Sequence, residues 1–372
     1  MQSVPPKPRA RHPFRRACIR TGATILLVVG SAACDDTDTA KMHAGMILGR
    51  PARAADDDAR LAYRQRIPVQ ETDAVVNVNP ALVPDPRGGL LVVDVSESQV
   101  RRYGEDGTLL WHAGRRGQGP GELTSPTAVG RMPTGEVVVA DRGGRLTFYD
   151  SAGARTVRTA ETRLSHLEEL VVMDDSTLLL SGVGDGGTAG PRLHLWNTVR
   201  DTIAHSFFAP FPHQRNRVAA SVAGYVEAAV RGDTVAAVFA ASDTVYFFSR
   251  AGRALDQVPL RSAHFRPAPE REPGRTITNP VQRARWVSAF DFVADVEWLP
   301  DGTLLVAYQS LDADRALTRT WHLLGMTPSG DRTFEYRGFS RLLGTDSGRG
   351  LVYLVDQAAD APNEWAVARL PS

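Results

Sequence analysis

Acidic side chains and a histidine recur in three β-rich segments near the middle of the chain, where they could bind a metal ion. The segments contain, in order, His166, Glu168 and Glu169, then Glu227, then Asp291 and Asp295. Carboxylate oxygens and imidazole nitrogens are ligands of Ca²⁺ and Zn²⁺. The candidate ligands are His166, Glu168 and Asp291, but no close spacing such as His-Glu-x-x-His occurs. We therefore expect no cofactor, with Ca²⁺ or Zn²⁺ at these residues as the alternative.

A second group of side chains could bind an anionic or polar ligand. Arg115 and Arg116 are adjacent and could hold a carboxylate or phosphate through paired hydrogen bonds. Alternatively, they could bind backbone carbonyls of neighbouring structural units. Asp141 ends a β-rich run, where aspartate commonly caps the following turn. Together with Tyr225, these residues are the candidate binding residues.

The composition excludes several classes of function. Of the 43 basic residues only Lys7 and Lys41 are lysine, and both lie near the start of the chain. Schiff-base chemistry and a P-loop are therefore excluded from the rest. A formal net charge of +1 provides no field that attracts nucleic acid. We expect no nucleic-acid partner.

The first 34 residues have the features of an export signal. Six basic residues precede the apolar run Gly22–Ala33, which is too short to span a bilayer comfortably. Small residues then precede Cys34, an arrangement that resembles the bacterial lipoprotein box. In that box the cysteine is diacylated and becomes the new N-terminus. Ser31 departs from the pattern, which usually has Leu, Val or Ile there. The alternative is an ordinary cleaved signal.

Cysteine usage is consistent with export. Cys18 would leave with the signal and Cys34 would carry the lipid, so no thiol or disulfide remains in the folded part. Residues 35–60 are polar and lack apolar periodicity, which is typical of a flexible tether. We expect a monomeric lipoprotein anchored in the bacterial cell envelope, with residues 61–372 as its folded domain.

The folded part repeats one pattern, in which a turn with Gly or Asp precedes a short apolar β-run. Six such runs, the B strands of the repeats, occur at Leu90–Asp94, Glu136–Asp141, Thr177–Ser181, Thr234–Phe239, Thr303–Tyr308 and Leu351–Asp356. C strands follow most of them, as at Gln99–Tyr103 and Arg145–Tyr149. The pattern therefore predicts six sheets of four strands, A to D.

Six repeated sheets predict an all-β, six-bladed β-propeller, which leaves only short, protected strand edges. The last repeat ends at its C strand, Glu364–Leu370. We expect Leu61–Gln70, from before the first A strand, to supply the missing D strand and close the ring. A β-sandwich followed by a second β domain is the alternative.

One junction between repeats resembles a known family. The residues Gly114-Arg115-Arg116-Gly117-Gln118-Gly119-Pro120-Gly121-Glu122-Leu123, with Pro126 and Gly135…Asp141 after them, resemble the NHL-type six-bladed propeller motif. The resemblance implies a scaffold that binds other molecules. Related six-bladed propellers include metal-dependent lyases and lactonases, which implies an alternative site in the central channel.

The connections that are much longer than the repeat requires should all lie at one end of the propeller. Two are D–A connections, Ala204–Ser221 and Arg261–Ser288, and three are B–C loops, Gly182–Gly190, Gln309–Leu317 and Gln357–Pro362. Strand direction alternates within a blade, so B–C and D–A connections share an end. Binding residues concentrate on such loops, whereas neutral drift should not favour one end. We expect a binding module for a protein or small-molecule ligand, with a metal-dependent lyase or lactonase as the alternative.

Overall fold

The computed structural model of the protein describes residues 62–68, 81–153, 155–208, 224–262, 264–269, 286–311, 319–339, 342–355 and 364–370. The expected export signal, Cys34 and the tether at 35–60 lie outside these residues. In the described part, no helix is both long and apolar enough to cross a membrane.

The described residues form six antiparallel sheets of four strands each, so the predicted six-bladed propeller is confirmed. Blade 1 consists of β2 (Ala81–Pro84), β3 (Leu90–Asp94), β4 (Gln99–Tyr103) and β5 (Leu109–Ala113). Blade 2 consists of β6 (Pro126–Arg131), β7 (Val137–Asp141), β8 (Arg145–Tyr149) and β9 (Thr156–Glu161). Blade 3 consists of β10 (Ser165–Val172), β11 (Thr177–Val183), β12 (Leu193–Asn197) and β13 (Thr202–Phe207).

The remaining blades repeat the order. Blade 4 consists of β14 (Val226–Arg231), β15 (Thr234–Phe239), β16 (Thr244–Ser249) and β17 (Ala254–Pro259). Blade 5 consists of β18 (Phe292–Trp298), β19 (Leu304–Leu311), β20 (Arg319–Met326) and β21 (Arg332–Phe339). Blade 6 consists of β22 (Leu342–Asp346), β23 (Leu351–Val355), β24 (Glu364–Arg369) and, as its outermost strand, β1 (Ala62–Pro68). Short 3₁₀ turns occur at Gly187–Ala189 and Ser347–Arg349.

The ring closes as predicted, because β1 pairs antiparallel with β24. The register runs from Ala62 opposite Arg369 to Pro68 opposite Glu364, with one irregularity between Tyr63 and Gln65. A strand from the start of the folded domain therefore completes the last sheet. This pairing covers the edge of β24, which would otherwise present unpaired backbone groups.

The hydrophobic core lies between neighbouring blades. Each of the six core clusters joins adjacent blades, and one of them joins blade 6 to blade 1 through Leu343, Tyr353 and Leu82. The B strands are buried on both faces, which explains their continuous apolar runs, as in the fully buried β3. The outer D strands are mostly exposed, as in β17. Stability therefore depends on contacts between blades.

Arginine side chains join neighbouring blades at the end that carries the A–B and C–D turns. Arg131 of blade 2 binds Asp85 of blade 1, with Nε to Oδ1 at 2.6 Å and Nη2 to Oδ2 at 2.8 Å. Arg250 of blade 4 binds Asp174 of blade 3 at 2.8 Å. Arg349 of blade 6 binds Glu105 of blade 1 at 2.6 Å. Guanidinium groups suit this role because their rigid fork binds two acceptors at once.

Candidate functional site

The two ends of the propeller are distinguished by backbone hydrogen bonds between connections. At one end, B–C turns bond to D–A connections: Arg142 N to Ser125 O at 2.9 Å and Ala268 N to Ala241 O at 2.9 Å. At the other end, a C–D turn bonds to an A–B turn through Thr198 N and Ser176 O at 2.8 Å. We call the first the insertion end, because the long connections of the sequence lie there.

Three of the predicted loop boundaries were wrong. Gly182 and Val183 belong to β11. Ala204–Phe207 belong to β13, so that D–A connection begins only at Phe208. Gln309–Leu311 belong to β19, which extends three residues past the predicted B strand. Most of these connections (residues 209–223, 270–285, 312–318 and 356–363) lie outside the described residues. The strand order still assigns every one of the five connections to the insertion end.

Arg115 and Arg116 lie at the insertion end, within a tight loop that is stabilised by hydrogen bonds between its own residues. Leu123 N donates to Arg115 O at 2.8 Å, and Arg115 Nη2 lies 2.8 Å from the carboxylate of Glu122. Arg116 donates to the carbonyl of Ser96 at 3.2 Å. The Arg115 side chain is 80% exposed, so it remains accessible to a ligand. Arg116 therefore joins this connection to the B–C turn of blade 1.

Asp141 and Tyr225 occupy structural positions. The buried Asp141 carboxylate accepts hydrogen bonds from the backbone of Thr124 and Ser125 at 3.0 and 2.8 Å and from Arg145 at 3.2 Å. It therefore fixes the connection between blades 1 and 2. Tyr225 is half-buried against the core between blades 3 and 4, and its carbonyl accepts from Ala240 N at 3.0 Å.

Acidic side chains from the inner strands of blades 3, 4 and 5 converge in the central channel. Glu169 of β10 and Glu227 of β14 share a side-chain hydrogen bond, which favours the ionised form of Glu169 and the protonated form of Glu227. Asp295 and Glu297 of β18 face the same space and repel this pair. All four side chains are half-buried, which leaves them some contact with channel water.

The channel raises the pKa values of these carboxyl groups. Burial, followed by repulsion from Asp295, raises the pKa of Glu169 to about 7. Burial raises the pKa of Asp295 to about 6. The pKa values of Glu227 and Glu297 rise well above the ordinary range, first by burial and then by the neighbouring carboxylates. Perturbed carboxyl groups in a cleft are common at sites of proton transfer or ligand binding.

A bulge in β10 places His166 and Glu168 near the channel mouth. The pairing with β11 passes from Ser165–Val183 directly to Glu169–Ser181, so the intervening residues leave the regular ladder. Two contacts with blade 2 hold the bulge: Leu167 N donates to Arg142 O at 3.1 Å, and Thr127 Oγ1 donates to Leu167 O at 2.6 Å. Bulges of this kind redirect side chains and are frequent next to functional sites.

The three predicted metal ligands do not converge. Glu168 binds Arg142 at 2.7 Å, although burial still raises its pKa. Asp291 precedes β18 rather than lying within it, and its carboxylate binds Arg266 at 2.8 Å. His166 is exposed, with a positive φ of 51°. Among the residues that the structure describes, no group of three or more potential ligands is positioned to hold an ion.

Sequence reasoning identified Glu169, Glu227 and Asp295 in the channel but missed Glu297. A usable signal was present, because Asp295 and Glu297 are two residues apart in a strand and such side chains share a face. It also missed a polar cluster in blade 5, whose members lie on three consecutive strands, β19, β20 and β21.

The crowded carboxyl groups predict an unusual dependence of stability on pH. A raised folded-state pKa gives stability that is present below the unfolded value of 4.5 and is lost as pH rises through about 7, the pKa of Glu169. The free energy of unfolding should therefore fall between pH 5 and 8. Glu227→Gln removes a repelled carboxyl but keeps a hydrogen-bond partner. At pH 8 it should stabilise the protein by about 1–2 kcal/mol, after allowance for channel water.

Urea titrations at pH 5, 6, 7 and 8 would measure this effect. The gain from Glu227→Gln should shrink toward pH 5, where the wild-type groups are protonated. Glu161→Gln, an exposed change on β9, is the matched control and should have little effect at any pH. If Glu227→Gln is only as stable as the wild type at pH 8, the carboxyl groups in the channel do not repel one another.

Comparison with known proteins supports the architecture. No family model matches the sequence, and no curated protein matches it. Among solved structures, a member of the DUF4221 family from Bacteroides vulgatus is similar, with a TM-score of 0.59 and 9% identity over 85% of this chain and 98% of that one. A candidate exported protein from Bacteroides fragilis has a TM-score of 0.57 and 14% identity over 88% and 99% of the two chains. At these identities the similarity concerns the fold alone.

Proposed function

We propose that the protein is an exported, lipid-anchored propeller of the NHL-like type that binds a protein or small-molecule ligand at its insertion end. The observation that carries this proposal is the location of the long connections, all of which belong to that end. A rigid ring that extends its loops in one direction only is a typical scaffold for recognition.

The two ends also differ in their contacts. The opposite end is occupied by short turns and by the arginine contacts between blades, such as Arg250 with Asp174. The insertion end presents the exposed Arg115 and His166. Glu227, the second residue of β14, places the acidic channel close to that end, because the inner strands begin there. A ligand at the insertion end would therefore meet Arg115, His166 and the channel carboxylates.

Export and anchoring rest on the N-terminal sequence. A basic segment, a short apolar run and Cys34 follow one another in the order of a lipoprotein signal. The similarity in fold to a candidate exported protein from Bacteroides fragilis agrees with this proposal. The tether at 35–60 would hold the propeller away from the membrane surface.

Site-specific photocross-linking in intact bacterial cells would test the proposal. The photoreactive amino acid p-benzoylphenylalanine is placed at Arg115, at the insertion end, or at Val199, in a C–D turn at the opposite end. Both positions are strongly exposed, at 80% for the Arg115 side chain and 78% for Val199. We expect an adduct of defined mass from position 115 and none from position 199.

Equal adducts from both positions, or none from position 115, would argue against recognition at the insertion end. The same cells test the anchor with a Cys34→Ser variant. That variant should retain the adduct from position 115 but leave the membrane fraction. If it stays with the membrane, Cys34 is not the point of attachment.

The second candidate function is a metal-dependent lyase or lactonase with its site in the channel. The converging carboxyl groups of Glu169, Glu227 and Asp295 are the observation in its favour. We rank it second because Glu168 and Asp291 are each held by an arginine. A stoichiometric metal in the purified protein, lost together with activity on treatment with a chelator, would reverse this ranking.

A further inference from the structure

A cluster of hydroxyl, imidazole and carboxyl groups lies on one face of blade 5, away from the channel. Tyr308 and Ser310 are on β19, His322 is on β20 and Glu335 is on β21. Tyr308 lies opposite His322 in the sheet, and side chains two residues apart share a face, so all four side chains are on the same side. The connection after blade 4 covers this face through Ser262 and Phe265.

The geometry places a serine hydroxyl against a fixed imidazole. Ser310 Oγ lies 2.7 Å from His322 Nε2, and His322 Nδ1 lies 4.0 Å from Glu335 Oε1. The imidazole is buried, with 2% of the residue exposed. It stacks on the Tyr308 ring with centroids 4.4 Å apart and an angle of 8° between the planes. The ring is therefore held with one nitrogen toward the hydroxyl and the other toward the carboxylate.

Glu335 is itself firmly oriented. Its Oε1 accepts hydrogen bonds from Ser262 Oγ and Tyr308 OH, both at 2.7 Å, and its Oε2 lies 3.1 Å from Arg332. Burial opposes ionisation, but the bonds from Tyr308, Ser262 and Arg332 lower the pKa of Glu335 overall. An ionised carboxylate 4.0 Å from Nδ1 favours the tautomer with its proton on Nδ1, in which Nε2 accepts the Ser310 proton.

We propose that Ser310, His322 and Glu335 form a nucleophilic serine site that acts on acyl esters. A nucleophile within hydrogen-bond reach of a base, with that base oriented by a third group, is the recognisable arrangement for such chemistry, and its distances are often looser without substrate. Ser310 is half-buried near the end of β19, at the insertion end, so a substrate can reach it from solvent. This proposal does not depend on the binding function proposed above.

The proposed reaction is ester hydrolysis, in which water is the second substrate. Ser310 Oγ forms a bond to the acyl carbon while its proton passes to His322 Nε2, and the ester oxygen leaves with that proton as an alcohol. Water then attacks the acyl-serine, again giving a proton to His322. The acid is released and Ser310 regains its hydrogen. Glu335 acts as a positioning residue, because its carboxylate lies beside the imidazole, 4.0 Å from Nδ1, and makes no contact with the substrate.

Blade 3 contains a matched serine–histidine pair without a carboxylate. His194 Nδ1 lies 2.8 Å from Ser206 Oγ, and its Nε2 lies 3.3 Å from the carbonyl of Gly182. Ser206 is half-buried, like Ser310. A neutral carbonyl fixes the tautomer but stabilises the imidazolium less than a carboxylate does, and burial lowers the pKa of His194 overall. Ser206 therefore serves as an internal control.

Labelling of the purified full-length protein with a fluorophosphonate probe would test the site. The serine oxygen displaces fluoride from phosphorus, and the adduct is mapped by peptide mass spectrometry. We expect one adduct, on Ser310, which Ser310→Ala abolishes and Ser206→Ala leaves unchanged. His322→Gln should slow labelling by about 100-fold, the contribution typical of a general base. Hydrolysis of p-nitrophenyl acetate should follow the same order.

The role of Glu335 has its own readout in the pH profile of labelling. Among the described residues, the charged or titratable groups near His322 include Glu335, Tyr308 and Arg337, which lies opposite it in the sheet, and His264, whose ring centroid lies 5.7 Å away. Glu335→Gln should lower both the rate and the pH midpoint, because the carboxylate no longer stabilises the imidazolium. Wild-type protein that acquires no label on Ser310, or labels Ser206 equally, would overturn the proposal. An unchanged midpoint in Glu335→Gln would remove Glu335 from the site.

Discussion

Replacing Asp85 with asparagine is expected to destabilise the protein by about 3–5 kcal/mol, the usual effect of removing one partner of a buried ion pair. The Asp85 side chain is fully buried and binds Arg131 of the next blade and Arg102 of its own blade, each with a shortest distance of 2.6 Å. Arg87 N also donates to it at 3.0 Å. Asparagine would leave two guanidinium groups without a counter-charge in the interior.

The pH dependence of this variant has a definite sign. Burial alone would raise the pKa of Asp85, but hydrogen bonds from Arg131, Arg87 and Arg102 lower it below 3.8 overall. A lowered folded-state pKa gives stability that is present above 3.8 and is lost as pH falls through the folded value. The difference between wild type and Asp85→Asn should therefore be constant from pH 6 to 8 and shrink only below about pH 4.

Urea unfolding of both proteins over this pH range measures the effect. Asp331→Asn is the matched control, because Asp331 forms an exposed pair with Arg261 at 3.3 Å, and exposed pairs contribute about 0–1 kcal/mol. If Asp85→Asn is no more destabilising than Asp331→Asn, the contact of Asp85 with Arg131 does not stabilise the packing of blade 1 against blade 2.

The strands and their number followed from sequence because they depend on local pattern. β3, β4, β8 and β15 begin and end at the predicted residues. A strand buried on both faces requires a continuous apolar run, and a tight turn requires Gly or Asp, so each blade carries its own signal. The closing strand was also predictable, since the last repeat had three strands and an unassigned β-run preceded the first.

Contacts between side chains on different blades were not predictable in the same way. Asp85 and Arg131 are 46 residues apart, and nothing local distinguishes this aspartate from others in turns. Their contact depends on how far each blade is rotated from the next. The Arg142–Glu168 pair likewise depends on a bulge in β10 that shifts the register of pairing. Sequence periodicity does not report such a shift.

The candidate sites also differ in how far the sequence alone could predict them. Channel carboxylates were predictable from their place on inner strands, because every inner strand lines the axis. The blade 5 cluster was not, because Ser310, His322 and Glu335 meet only through the register of three strands. That register is affected by an irregularity between Trp321 and His322. A one-residue change in it would place the imidazole on the other face.

A disulfide that cross-links the two strands closing the ring, β1 and β24, is expected to have a large effect on the free energy of unfolding. The register places Arg66 of β1 opposite Ala366 of β24, where the Cα atoms of paired strands are about 4.5–5.5 Å apart. This separation suits a disulfide. In a background without Cys18 and Cys34, the pair Arg66→Cys and Ala366→Cys should therefore oxidise readily. The bond would close a loop of about 300 residues, for which the chain-entropy model predicts a stabilisation of about 5–6 kcal/mol.

Thermal and urea unfolding with and without reductant would measure this stabilisation, and non-reducing gels would show the cross-link. The control pairs Arg66→Cys with Val367→Cys, since neighbouring residues in a strand point to opposite faces and these thiols should not meet. Only the register observed between β1 and β24 predicts that one pair oxidises and the other does not. If neither pair forms a disulfide, or if the cross-link adds no stability, the start of the domain does not complete blade 6. The six blades would then have to be held in a ring by the remaining contact between blades 6 and 1, in which Leu343 and Tyr353 pack against Leu82.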